Sequence, residues 1–169
     1  MIKPVVEWLS EVRKPDDSSE QLTLDLSLVV EELFETIDGC EGEVRLRLAK
    51  IILNKVTNLI NTLDNRKRNL TEIRDGLADT YVTLGNVAYD LGITEDDFEK
   101  VMESNWTKFC NTEEEAEETV DLYMTGQHPD KLGEKIETYF EKGKNKYIVR
   151  KKNGKIMKSY LYKPVNLHN

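Results

Sequence analysis

Carboxylates carry the densest chemistry in this sequence. Glu31, Glu32 and Glu35 form an E-E-x-x-E run, and Glu72, Asp75 and Asp79 follow at spacings of three and four. On a helix each set lines one face, with Asn86 and Asp90 further along the second. Two such rows facing each other would collect their carboxylates in one cleft, where mutual repulsion demands cations or protonation of some groups. Oxygen-only donors, without His or Cys, select hard cations, Mg²⁺ first and Mn²⁺ second. Two such ions bridged by shared carboxylates can hold a di- or triphosphate and lower the pKa of a bound water for attack on phosphorus. The other reading of either row alone is an ordinary solvated acidic face.

A second group of residues suits anionic ligands. Asn105 and Lys108 are three apart on one helical face and could meet phosphate or base; otherwise they are a surface amide and a helix-end lysine. Lys155, Lys158 and Lys163, with Arg150–Lys152, supply the positive charge that a polyphosphate needs. Tyr160 and Tyr162 could stack on a base or pack on the helices. Cys40 and Cys110 are too far apart in sequence for a Cys-x-x-Cys site and read as inert thiols. His128 and His168 are the two histidines, which argues against histidine-based zinc catalysis, and His128 beside Pro129 reads as a loop residue.

The charge is uneven. Residues 131–169 carry +8 and residues 1–130 carry −16. That split suits neither general nucleic-acid binding nor an anionic membrane, but it fits a site that gathers cations on one part and anionic groups on another. A solvated surface with uneven charge is the plainer alternative. With 38% hydrophobic and 33% charged residues the chain reads as a soluble globular protein, and no apolar run reaches the length of a membrane helix. The start lacks the basic-then-apolar pattern of a signal peptide, so a cytoplasmic location is expected.

These residues need helices to position them. Val5, Trp8, Leu9 and Val12 predict a helix over about 4–13, followed by a loop at 15–19. A second helix spans 20–38, with Leu26, Val30, Leu33 and Ile37 on one face and Leu24 and Leu28 on another. A third spans 41–63, with Val44, Leu48, Ile51/Ile52, Val56 and Ile60 as its apolar stripe, and Asp64–Asn69 is a polar connector. The fourth opens at Thr71 as N-cap and ends at Gly92, with a core stripe of Leu77, Tyr81, Leu84 and Ala88. Thr94 with Asp97 predicts a capping box starting a fifth helix to Phe109, and Thr112 starts a sixth that ends near Gly126. Residues 147–152 and 155–160 around Asn153-Gly154 read as a β-hairpin with a type I′ turn. The expected architecture is an all-α helical bundle over residues 1–130, with residues 131–169 a basic β-hairpin extension of the same domain. Because its apolar stripes lie upstream, the bundle is expected to fold without the hairpin. Helices two to four are apolar on more than one side, which predicts a homodimer or higher homo-oligomer.

The order of these elements carries a resemblance. E-E-x-x-E followed by a helix with E-x-x-D resembles the all-α nucleoside triphosphate pyrophosphohydrolases, the MazG-like superfamily. Asp79–Ile93 is similar to the "ADxxYVxxGxAxxLGI" helix of the phosphoribosyl-ATP-pyrophosphohydrolase-like branch found in bacteria and their phages. Ser104–Lys108 is similar to that branch's "SNMSK" element, and Asn153–Leu167 resembles its "DGKVLKGPNYxPPDL" ending. Val5–Trp8 fits its aromatic first helix.

The resemblance implies a dimerising helical bundle that binds Mg²⁺ through glutamates and aspartates. It also implies attack of water between the α- and β-phosphates of a nucleoside triphosphate, giving a monophosphate and pyrophosphate. By position, Glu32 and Glu35 would be metal ligands, and Glu31 a ligand or the group orienting the attacking water. Asn86, Asn105, Lys108, Lys158 and Tyr160 are the candidate substrate contacts. The chain departs from the pattern at Gly76. Aligning on Asp79 puts Gly76 at the glutamate position of E-x-x-D, with Asp75 beside it, whereas the literal motif selects Glu72 and Asp75. Both pairs, 72/75 and 75/79, stay open. The alternatives are phosphoribosyl-ATP pyrophosphohydrolase proper, and a non-catalytic helical binding or scaffold protein on the same fold.

Overall fold

In a computed structural model of the chain, residues 2–16, 18–62 and 67–167 are described. Asp17 of the first loop, Leu63 at the expected end of the third helix, Asp64–Arg66 of the connector and His168 lie outside them. The order is α1 (Ile2–Val12), α2 (Ser19–Asp38), α3 (Gly42–Asn61), α4 (Leu70–Leu91), α5 (Glu95–Trp106), α6 (Glu113–Thr125), a 3₁₀ turn (Pro129–Lys131), β1 (Thr138–Lys142) and β2 (Tyr147–Lys151). The molecule is thus mostly helical, with a small two-stranded antiparallel sheet. It divides into two units: unit 1 comprises residues 1–17 and 86–169, and unit 2 residues 18–85.

Helix starts follow local chemistry. Ser18 Oγ accepts from the Gln21 amide at 3.2 Å to open α2. Thr94 and Asp97 form the reciprocal capping box of α5, and Thr112 caps α6. For α4 the cap is Asn69, not Thr71: its Oδ1 accepts from the amides of Thr71 and Glu72 at 3.1 and 3.3 Å. Asparagine reaches those orphan donors as well as threonine does, and the helix begins two residues earlier.

The hairpin is not the one predicted. β2 pairs with β1, upstream, from Thr138↔Lys151 to Lys142↔Tyr147. The chain does reverse at Asn153-Gly154, but the returning segment contributes an isolated bridge, Arg150↔Ile156, rather than a strand. The turn between β1 and β2 is pinned to α1: the Glu11 carboxylate accepts from the Asn145 amide, from Asn145 Nδ2 at 3.0 Å and from the Lys146 amide at 2.8 Å. Gly143 makes this approach possible, since a Cβ there would sit 2.5 Å from both the Glu11 carbonyl and Ile148 Cδ1.

The sheet forms the middle of unit 1. Val149 packs with Cys110, Ala116, Tyr123 and Met157 on the α6 side, while Ile148 packs with Val12 and Phe109 on the α1 side. The side chains at or near zero exposure, among them Tyr123, Ile148, Val149 and Thr119, all belong to this unit. In unit 2, Ile37 is the one buried apolar side chain among the described residues. Most of the expected core stripes of α2–α4 is exposed instead: Leu26, Val30 and Leu33 on α2, Val44, Ile51, Val56 and Ile60 on α3, Leu77, Tyr81 and Leu84 on α4, while Leu48, Ile52 and Ala88 are half-buried. The hairpin is therefore not an appendage to a finished helical core, because β1 and β2 supply the core of unit 1.

Candidate functional site

Unit 2 carries the acidic rows. Glu31, Glu32 and Glu35 are exposed on α2, and Glu72, Asp75 and Asp79 are exposed on α4. All six offer carboxylate oxygen, so the donor chemistry fits a hard divalent cation. Among the described residues, no three His, Cys, Asp or Glu side chains come together as a metal site. The chain supplies the donors on two helices without gathering them. A Cβ at Gly76 would meet nothing within 4 Å, so the departure at this position is not forced by packing.

Unit 1 holds all five candidate substrate contacts, and here distant parts of the chain converge. Ser104 Oγ donates to the Lys163 carbonyl at 2.8 Å and lies 3.1 Å from Tyr162 Oη. Thr107 Oγ1 accepts from the Lys163 amide at 2.9 Å, and the Lys108 carbonyl accepts from the Ser159 amide at 3.0 Å. The half-buried Asn105 is held through its carbonyl, which accepts from Trp8 Nε1 at 3.1 Å. Tyr160 is also half-buried; its phenol hydrogen-bonds Glu118, which raises its pKa, with burial adding to the effect. Asn86 is exposed near the end of α4.

Two of the expected phosphate-binding cations already have protein partners. Lys158 Nζ pairs with Asp130 Oδ1 at 2.5 Å and sits 4.8 Å from the centre of the Tyr162 ring. The guanidinium of Arg150 pairs with Glu141 at 2.5 Å and donates to the carbonyls of Gly154 and Val12, so it ties the hairpin to α1.

Several organising residues escaped the sequence reading. His128 is a loop residue as expected, but it is 1% exposed and stacks on Tyr123 at 3.7 Å with ring planes 7° apart. Its Nδ1 accepts from the Asp130 amide at 3.2 Å, and burial lowers its pKa. Tyr123 Oη donates to the Lys158 carbonyl at 3.2 Å, and burial raises its pKa. These contacts fix the loop carrying Asp130 against the segment carrying Lys158. The detectable signal is the aromatic at 123 ahead of the αL Gly126, which turns the chain back so that His128 can cover the ring. Burial pushes up the pKa of the Cys110 thiol, which agrees with its reading as inert.

No family model, curated protein or solved structure matches the chain. No described helix is long and apolar enough to cross a membrane.

Proposed function

We propose that the chain is a Mg²⁺-dependent nucleoside triphosphate pyrophosphohydrolase of the MazG-like kind. It acts on (deoxy)nucleotides in the cytoplasm and has no nucleic-acid partner. The observation that carries this reading is the ordered set of four sequence elements. It is supported by the hydrogen bonds that tie two of them, Ser104–Lys108 and Ser159–Lys163, across more than fifty positions.

Glu31, Glu32 and Glu35, with either Glu72/Asp75 or Asp75/Asp79, would hold the cation. When bound, Mg²⁺ neutralises phosphoryl oxygens and lowers the pKa of water. Glu31 orients a water against the α-phosphorus by accepting its hydrogen bond. As the new P–O bond forms, the bridging bond to the β-phosphate breaks, pyrophosphate leaves and the water's proton passes through Glu31 to solvent. Lys108 and Lys158 donate to phosphate oxygens, Lys158 by exchanging Asp130 for substrate, and Asn86, Asn105 and Tyr160 contact the rest of the nucleotide.

A non-catalytic scaffold is favoured by one feature, the glycine at position 76. Phosphoribosyl-ATP pyrophosphohydrolase proper is less well supported, because the basic ending resembles the other branch. A panel of nucleoside triphosphates that includes phosphoribosyl-ATP, with Mg²⁺ or Mn²⁺ and chromatographic product analysis, separates the three. Glu32→Gln and Glu35→Gln should each abolish turnover while thermal stability in metal-free buffer is unchanged or higher, since carboxylate repulsion is relieved. Full activity in both variants removes the metal assignment, and absence of Mn²⁺ binding by the unaltered chain favours the scaffold.

A further inference from the structure

We propose that His128 is the positioning residue of a proton-operated latch, which holds the Asp130 carboxylate on Lys158 and releases it in acid so that an anion can take its place. The inference rests on the reading of Lys158 as a phosphate contact and adds what regulates that contact. Four side chains form a closed circuit within unit 1. Tyr123 Oη donates to the Lys158 carbonyl at 3.2 Å, and its ring carries His128 face to face at 3.7 Å. His128 Nδ1 accepts from the Asp130 amide at 3.2 Å, and Asp130 Oδ1 meets Lys158 Nζ at 2.5 Å. The loop that carries the two middle members is closed on itself, because the Gly133 amide donates to the Gly126 carbonyl at 2.8 Å. Its start is pinned to α6, where the Gln127 and His128 amides donate to the Leu122 carbonyl at 2.8 and 3.0 Å. A change at His128 is therefore taken up by the short turn that bears Asp130.

One proton decides whether the circuit can close. An imidazole that accepts at Nδ1 is neutral and carries its hydrogen on Nε2. Here Nε2 is buried without a hydrogen-bond partner among the described residues, with the backbone of Lys158 and Ser159 facing the ring. A second proton must go on Nδ1, where it would oppose the Asp130 N–H, donor against donor. It would also place a cation at a site that is 1% exposed. The groups around the ring are Tyr123 on α6, Asp130 on the 3₁₀ turn and Lys158 on the C-terminal segment. Burial opposes the second proton most, the Asp130 charge favours it and the Lys158 charge opposes it, which leaves the pKa below the ordinary 6.5. Tyr123, whose pKa burial raises, stays neutral throughout. A closed latch therefore belongs to pH above 6.5. As pH falls through the lowered value, the Asp130 amide loses its acceptor and the imidazolium draws the Asp130 carboxylate away from Lys158.

Inorganic triphosphate is the probe, titrated into the full chain by calorimetry in metal-free buffer. Asp130→Asn keeps the backbone amide and removes the charge, and at neutral to basic pH it should bind triphosphate about 3- to 10-fold tighter than the parent. Adding Lys158→Ala to that chain should cancel the gain. His128→Asn keeps an oxygen acceptor for the amide two residues on but takes up no proton. Its affinity relative to the parent's, compared at each pH so that the ligand's own ionisation cancels, should fall at least ~2-fold as the medium is acidified through the His128 transition. A His128 that only supported the fold would show no such divergence. In the unaltered chain, magnetic resonance of the His128 ring and the Asp130 carboxyl should report one shared transition below pH 6.5. Equal triphosphate affinity in parent and Asp130→Asn overturns the latch even if nucleotides are hydrolysed. So does a gain that survives Lys158→Ala, an Asp130 carboxyl indifferent to the His128 transition, or no triphosphate binding by any of these chains. Triphosphate held through Lys158 and gated as stated, with no nucleoside triphosphate turned over, leaves the latch standing and removes the hydrolase reading instead.

Discussion

The two units use helices of similar regularity to opposite ends. In unit 1, α6 is capped by Thr112, closed by αL Gly126 and buried along Ala116, Thr119 and Tyr123 against the sheet. In unit 2, α3 and residues 70–85 of α4 hold their backbones without burying a side chain among the described residues. Backbone periodicity and capping suffice to make a helix, but they do not say what covers its apolar face. Unit 1 answers that question within itself, whereas in unit 2 the apolar faces of α3 and residues 70–85 of α4 are largely exposed.

The sharpest test of the contrast is a matched pair of truncations. Ile148→Ala, at zero exposure between α1 and the sheet, should cost about 2–5 kcal/mol in urea unfolding at any protein concentration. Leu77→Ala, 48% exposed on α4, should cost less than ~1 kcal/mol at high dilution. Equal losses at high dilution would mean that unit 2 has a core of its own.

The next effect is pH-dependent and confined to unit 1. Burial raises the pKa of Glu11, but the hydrogen bonds from Asn145 and Lys146, with the Lys144 charge, outweigh it and leave the pKa below its ordinary 4.5. A lowered folded pKa adds stability that is present above about 4.5 and lost as pH falls through the folded value. Glu11→Gln should therefore cost roughly 1–3 kcal/mol at neutral pH, from acceptors the turn amides lose. The gap between variant and parent should close in acid. A gap that stays constant across that range would show that the carboxylate charge is irrelevant to the turn.

The smallest effect belongs to unit 2. Gly76→Glu adds a side chain in open space on α4 and should stabilise the helix by about 0.5–1 kcal/mol. Under the metal reading it should also tighten Mn²⁺ binding in a titration, whereas under the scaffold reading only the helix gains.

What was legible in the sequence follows the range of the forces involved. The capping box at Thr94 and the cap at Thr112 are written in adjacent residues and appear as read. The reversal at Asn153-Gly154 is equally local, but it is not the expected type I′ turn, because Gly154 has φ 88° while Asn153 has no positive φ. The strand that pairs with β2 was not legible, because Thr138-Tyr139-Phe140 is a short apolar run and the choice of ladder partner depends on packing against α6. The stripes on α2–α4 were read correctly as apolar but not as exposed, since periodicity marks a face without naming its neighbour. At the candidate site, the carboxylates are named from type and spacing, and Lys158 from its place in the basic ending. The Asp130 that holds Lys158 was not, because the pair spans 28 positions and depends on how His128 folds onto Tyr123.

The placement of tryptophan has a practical consequence. Both tryptophans of the chain lie in unit 1: Trp8 stacks on Phe109 at 5.0 Å, and Trp106 meets the same ring edge-on at 5.7 Å. Intrinsic emission at indole wavelengths therefore follows the fate of that aromatic triad, while α2 and α3 contribute ellipticity and no indole signal. A melting curve in which ellipticity falls before the emission maximum shifts would record unit 2 coming apart first, with no label attached.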